Sequence, residues 1–380
     1  MRELKPDSAQ DIRPGGPVLT GADGQVSLSG PQSGPQSGPQ SGPLGPLWGR
    51  AVSQRTRDLA WSSLSPPLLS SLPDDVDARL ARWPAGVRAA WQAWLAQADP
   101  ATLPETIAEL SSHPDHTGGR SLRLGRHAER LLHFALQHAP GIELLAANVP
   151  IRRANGHGVQ TLGELDVIWR DPAAGETVHW EMAAKFYLMV DGVADRRAFV
   201  GPNLVDRLGD KLDHIVHRQL PLGRTAEAQA VVGHAIDRSE VYLLGWLFYR
   251  DGIPPPGLDA LGIAPDHLHG WWLTLEDWMG RASTQAGRAV RWCRLPRADW
   301  LSGARVPEAG TESAESLHAA LAERFGDAHP DHAWRRDAPV MVCELEPAGP
   351  DQPGIWLERS RGFVVPPGWE TRAIERARKA

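Results

Sequence analysis

Apolar residues along the chain fall into runs of period three to four and runs of period two, and the order of these runs predicts the elements. From Ser121, a residue suited to cap a helix, Leu124, Ala128, Leu131, Leu132, Ala135 and Ala139 recur at helical spacing up to Pro140, which predicts an amphipathic helix. Residues 144–151 read as a strand, Asn155-Gly156 as a turn, 160–169 as a second strand, 171–175 as a turn and 177–190 as a third strand. Pro202-Asn203 then opens a helix in which Leu204, Leu208, Leu212, Ile215, Val216 and Leu220 hold an apolar stripe until Pro221. The run 240–249 supplies a fourth strand, so residues 120–250 read as an α/β (α+β) core of order α-β-β-β-α-β.

The flanks differ from this core. Residues 1–48 are rich in Gly, Pro, Ser and Gln and repeat Pro-Gln-Ser-Gly three times, which is too little apolar surface to offset ordering entropy, and a disordered tail is expected. Residues 49–119 read as a helical support region, with a short helix at 87–96 carrying Trp91 and Trp94. After the IPPPG break at 253–257, a helix at 315–325 and strands at 340–345 and 355–365 predict a C-terminal β-rich, Trp-rich subdomain over 251–380. The chain's 16 tryptophans read as rings that fill a core rather than as a base-stacking platform.

The candidate chemistry lies in the hairpin of strands two and three. A symmetric turn around 172–175 makes residues whose numbers sum to 347 face each other, setting Asp166 opposite Glu181 and Glu164 opposite Ala183. Leu165, Val167, Trp169, Trp180, Met182, Ala184 and Phe186 then share the other, apolar face. Like charges ~5 Å apart at Cβ need a proton or a cation between them, and a hard divalent ion such as Mg2+ or Mn2+ suits carboxylate oxygens with water in the remaining positions. Lys185 has the parity to join this face, but it lies four residues beyond Glu181, ~13 Å along an ideal strand, so a bulge or its flexible stem must close the gap. Glu129, beside the apolar stripe of the first helix, is a further candidate, though solvated acids also occupy such boundary positions.

Composition narrows the function classes. The formal charge of -6 argues against a wholly basic nucleic-acid binder, but between Arg120 and Arg224 stand 14 Lys plus Arg against 12 Asp plus Glu, a local balance of +2. Arg152, Arg153, Arg196 and Arg197 are candidates for phosphate contact. Cys293 and Cys343 suit neither a disulfide scaffold nor a zinc motif. His214 and His217, three apart on a helix, lack a third ligand, and His267 and His269 read as turn residues. No Walker loop, dinucleotide glycine fingerprint or Gly-x-Ser-x-Gly elbow occurs. The opening residues lack a signal-peptide pattern and no long apolar run occurs, so a cytoplasmic protein without membrane contact is expected.

The blocks GRHAERLLHFAL, LLAANVPIR, TLGELDVIWRD, HWEMAAKFYLMV and GPNLVDRLGDKLDHIVHRQLPL resemble, in order, the bacterial family known as domain of unknown function 1853. RDLAWSSLSPPLL, RWCRLPRADWLS and RGFVVPPGWE extend the resemblance over nearly everything except the tail. That family is similar at the fold level to the PD-(D/E)XK nuclease-like superfamily, whose core carries a helix glutamate, a strand aspartate and a Glu-x-Lys. The resemblance implies Glu129, Asp166 and Glu181 in these roles; Ala183 stands where the lysine is expected, with Lys185, or Lys211 or Gln219 of the second helix, as substitutes. The function implied is a Mg2+- or Mn2+-dependent phosphodiesterase acting on DNA or RNA. Asp166, Glu181 and Glu164 would face the metal, Glu129 would support it and Lys185 would orient water. The alternatives are a catalytically inactive module of the same fold that binds nucleic acid or a protein, and a partner within a larger complex.

Overall fold

A computed structural model describes residues 51–73, 76, 78–97, 124–154, 156, 158–190, 195–285, 289–327, 329, 331 and 333–379. The expected tail over 1–48, the Ser121 cap and Asn155 of the expected turn lie outside the described residues.

The chain is a mixed α/β structure built on one large sheet. In chain order its first elements are α1 (Gln54–Leu64), β1 (Arg79–Leu80), α2 (Ala85–Gln97), α3 (Leu124–His138), β2 (Glu143–Ala154), β3 (Val159–Asp171), β4 (Glu176–Met189) and β5 (Phe199–Val200). Next come α4 (Leu208–His214), α5 (Ala226–Val232), β6 (Arg238–Arg250), β7 (His269–Thr274), α6 (Leu275–Ser283), β8 (Arg291–Arg294) and β9 (Arg305–Pro307). The last are α7 (Ala314–Gly326), α8 (Ala333–Arg336), β10 (Val340–Pro347), β11 (Ile355–Val365) and α9 (Trp369–Arg378). The four strands expected between 144 and 249 all form, β2, β3 and β6 a few residues longer than expected and β4 shifted by one residue. The sheet order is β2-β3-β4-β6-β7-β11-β10-β8, with β1 on β6, β5 on β4 and β9 on β11. The C-terminal residues therefore do not fold apart from the core; β7, β8, β10 and β11 extend its sheet.

The second helix departs from its expected span. Leu204 sits in the left-handed region at φ 59° and the helix begins only at Leu208, where Arg207 is still extended and its guanidinium holds Asp210 at 2.7 and 2.8 Å. The helix then widens into a π turn over Ile215–Gln219 and tightens into a 3-10 turn over Leu220–Arg224, in which Pro221 is accommodated without breaking the chain direction.

β4, β6, β7 and β11 run parallel, which requires both faces to be covered, and β6 is accordingly buried almost throughout, with no polar side chain between Val241 and Leu247 apart from the Tyr242 hydroxyl. The period of two sorts its residues and those of β4: Trp180, Met182, Phe186, Tyr242, Leu244 and Trp246 enter the core shared with α1 and α3, whereas Ala183, Tyr187, Val241, Leu243 and Leu247 enter the core beneath α4. The expected apolar face of the hairpin holds for all its members except Leu165, which packs on the opposite side with Ile151 and Ile168. Tryptophan serves mainly as filler. Trp180, fully buried, stacks on Tyr242 at 4.9 Å and meets Trp169 edge-on at 5.1 Å, contacts worth about 1 kcal/mol each beyond area burial.

Candidate active site

The hairpin register places the site. β3 and β4 pair from Asp171↔Glu176 to Val167↔Trp180, the register expected from the turn, and there the ladder stops. β5 takes up the same side of β4 only at Leu188, so the intervening stretch of β4 has no strand partner on that side among the described residues. The Asp166 carboxylate fills the first gap by accepting the Met182 N–H at 2.9 Å. The expected Asp166–Glu181 opposition is thus realised as two side chains in a fork between diverging strands. On the other side of β3, Asn148 of β2 adopts the left-handed conformation, φ 52°, between the paired positions Ala147↔Val167 and Val149↔Leu165. Its side chain bonds Glu129 of α3. Strain of this kind persists where neighbours over-determine it, commonly at functional sites.

Glu181 is 1 % exposed and is held from three directions. Its strand neighbour Trp180 is locked on the opposite face by donating its indole N–H to Glu240 at 2.9 Å. Behind it, β6 supplies Val241 as its ladder partner. In front, Gln219, the last residue of the π turn, donates its amide to Glu181 Oε1 while accepting Lys211 Nζ and His214 Nδ1, each at 2.9 Å. Glu181 Oε2 has no hydrogen-bond partner among the described residues and faces His179 Nε2, likewise unpartnered, at 3.7 Å.

Burial dominates the electrostatics. It raises Glu129, Asp166 and Glu181 each to about 7; the charge of Glu181 adds to the effect on Asp166, that of Asp166 and then Glu164 to the effect on Glu129, and that of Glu129 to the effect on Glu181. A hydrogen bond shared with Asp166, then Lys211 and Gln219, act on Glu181 in the opposite sense, and the same shared bond raises Asp166. Burial lowers His179 and His133 to about 4, so both imidazoles are neutral near pH 7. His133 bonds the Asp166 backbone and lies 4.0 Å from Glu129.

An open pocket of about 620 Å3 adjoins this cluster. Glu129 and Asp206 line it with Arg126, Lys185, Lys211 and Arg297, so four cations face two acids, a balance suited to a phosphate. Lys185 donates to Asp206 at 2.6 Å, and Asp206 also accepts the Tyr187 hydroxyl at 3.2 Å. The cation coupled to Glu181 is instead Lys211, through Gln219. Gly245 stands beside Lys185 in the β4–β6 ladder at φ 156°, and a Cβ there would overlap the Lys185 carbonyl oxygen, so the close approach of the two strands requires glycine.

Of the residues singled out in the sequence, Glu129, Asp166 and Glu181 come together, with Lys211 and Gln219 attached. Glu164 is exposed on β3, pairs with Pro150 of β2 rather than facing Ala183, and touches the cluster only through its charge on Glu129. His214 joins the Gln219 network, and His267 is buried in a turn between the Tyr249 hydroxyl and the Ala264 carbonyl. Arg153 is paired with Glu227 and Arg196 with the Leu261 carbonyl. Asn148, His133 and His179 were not anticipated. The signals for them are slight: a polar residue inside an apolar strand run, a histidine four residues after Glu129, and a histidine of the same strand parity as Glu181.

Among the described residues, no helix is long and apolar enough to cross a membrane. No curated protein and no solved structure matches the chain significantly. The family model described as "Domain of unknown function (DUF1853)" matches residues 57–365, which covers the whole sheet and the carboxylate cluster, and the chain belongs to that family.

Proposed function

We propose that the chain is a phosphodiesterase with a PD-(D/E)XK-type core, dependent on Mg2+ or Mn2+ and acting on DNA or RNA. The observation that carries this reading is the convergence of Glu129, Asp166 and Glu181 at the strand fork, all raised to about 7 by burial and mutual charge, beside a pocket lined by four cationic side chains. Among the described residues no group of three or more His, Cys, Asp or Glu side chains is arranged to hold a metal ion. Magnesium asks for less, one or two carboxylates with water and substrate oxygens completing its shell. Asp166 and Glu181 fit that requirement: one oxygen of Asp166 is engaged by Met182 and one of Glu181 by Gln219, and Glu181 Oε2 is unpartnered. A bound ion would supply charge neutralisation at the phosphoryl oxygens and a more acidic water.

The chain's own residues account for the rest. Gln219 and Met182 fix the two carboxylates in orientation, and His179, neutral at its site, leaves the free oxygen of Glu181 available. Lys211 brings the positive charge that Lys185 was expected to bring, since Lys185 is committed to Asp206. Glu129, near half-protonation at pH 7, is placed to exchange a proton with water in the pocket. Calorimetric titration of Mn2+ into the wild-type chain and into Asp166→Asn, followed by incubation of both with single- and double-stranded DNA and RNA, tests the reading. We expect uptake and cation-dependent cleavage by the wild type, with affinity weakened at least ~10-fold and cleavage ~100-fold or more in the variant. A wild-type chain that takes up no Mn2+ refutes the proposal and leaves a non-catalytic module of the same fold.

A further inference from the structure

At the far end of the sheet, five strand steps from β4 and so ~24 Å away, arginines gather where α7, α8 and β8 meet. Arg294, Arg324, Arg335 and Arg336 line an open pocket of about 660 Å3, opposed by two acids, Glu323 and Asp327. Two of these arginines are already satisfied: Arg294 holds Glu312 at 3.0 Å, and Arg336 holds Asp337 at 2.9 Å and the Asp327 carbonyl at 3.2 Å. The other two are not. Arg324 Nε is buried with no hydrogen-bond partner, and Arg335 forms no hydrogen bond or ion pair with a described residue. Burial, then the charges of Arg335 and Arg294, lower Arg324, as expected of a partly buried guanidinium crowded by other guanidinium groups. Beside Arg335 on the same short helix, Trp334 is 78 % exposed, whereas the other described tryptophans are buried or half-buried.

We propose that this pocket binds a nucleotide phosphate, free or within a nucleic-acid strand, through Arg324 and Arg335, with Trp334 offering a ring to the adjoining base. A planar guanidinium fork matches phosphate oxygens in pairs, an exposed indole stacks on any base, and the volume exceeds the needs of a halide. The site is separate from the carboxylate cluster and does not depend on that cluster being catalytic.

Anisotropy of a fluorescein-labelled single-stranded 12-mer DNA with the full chain, in EDTA and over a salt series, tests the proposal, with AMP and inorganic phosphate as competitors. Arg324→Gln/Arg335→Gln should weaken binding at least ~10-fold and flatten the salt slope by about one to two, while the melting temperature stays at the wild-type value. If the double variant does not fold, Arg335→Gln alone, at an exposed position, should still weaken binding. Trp334→Ala should weaken the 12-mer and AMP about 5-fold or more and leave inorganic phosphate unaffected. Competition by AMP at a concentration comparable with the 12-mer identifies a free nucleotide as the natural source; the 12-mer alone identifies a strand. Three results would each overturn the proposal: affinity unchanged in the arginine variants, polyglutamate competing as well as the 12-mer, or binding lost in Asp166→Asn, which would assign the phosphate to the carboxylate cleft.

Discussion

Burying a carboxyl group favours its protonated form where nearby cations do not outweigh the loss of water, and Glu129, Asp166 and Glu181 therefore contribute to stability in the reverse of the usual sense. Each is raised to about 7 from ordinary values of 4.5, 3.8 and 4.5, so between about pH 4 and 7 the folded chain holds protons that the unfolded chain has released. This contribution is lost as pH rises through 7. His133 and His179, lowered from 6.5 to about 4, act oppositely: the unfolded chain takes up protons first, and stability is lost as pH falls from 6.5 toward 4. Replacing the two facing acids isolates the first effect. Asp166→Asn/Glu181→Gln in EDTA should melt about 5 °C above wild type at pH 8, with the difference vanishing near pH 4.5, where the wild-type acids are also neutral. Scanning calorimetry at the two pH values checks this, and a variant less stable than wild type at pH 8 would show that the carboxylates are compensated within the fold. The type and strand parity of Asp166 and Glu181 were legible in the sequence because the side-chain period of a strand is two; the burial that raises them was not, since it comes from helices distant in sequence.

At the scale of elements, the cation beside Glu181 is decided by helix geometry. Lys211 and Gln219 are eight residues apart, a spacing that in an unbroken α-helix leaves them two turns apart and ~12 Å along the axis. The π turn over Ile215–Gln219 brings their side chains to 2.9 Å, and the relay ends on Glu181. The apolar stripe announced a helix here but carries no mark of the extra residue per turn, because Leu212, Ile215 and Leu220 remain buried either way. Cleavage assays separate the two lysines: Lys211→Ala should lose ~100-fold in kcat with little change in KM, whereas Lys185→Ala, which breaks a partly exposed pair with Asp206, should lose less than ~10-fold. The reverse order would return the role to Lys185.

At the scale of the whole molecule, the carboxylate site depends on both ends of the described chain. Arg361 of β11 is 1 % exposed, donates to Glu358 and to the carbonyls of Trp300 and Ser302, and lies over the Trp246 ring at 4.4 Å. Asp58 of α1 accepts the Ser302 hydroxyl at 2.6 Å and lies 3.3 Å from His127 of α3, the helix that carries Glu129. Arg361→Met leaves Glu358 buried without its cation, a loss of about 3–5 kcal/mol, and should lower the melting temperature of the whole chain in a single transition. If the region of α3 to β6 melted separately, in a second transition unaffected by the substitution, the network would not be the coupling. Local periodicity by itself determined the existence, type and approximate span of the core strands and the hairpin register, because these follow from short-range spacing and turn chemistry; family membership rests instead on the match over residues 57–365. Only the tertiary structure decided that the C-terminal strands continue the same sheet, that β3 and β4 part after Trp180, that Lys211 rather than Lys185 reaches Glu181, and that Asn148 and two histidines join the site. Each of these turns on pairings between residues far apart in the chain, and their cost or gain is set by burial and strand divergence, which no local spacing encodes.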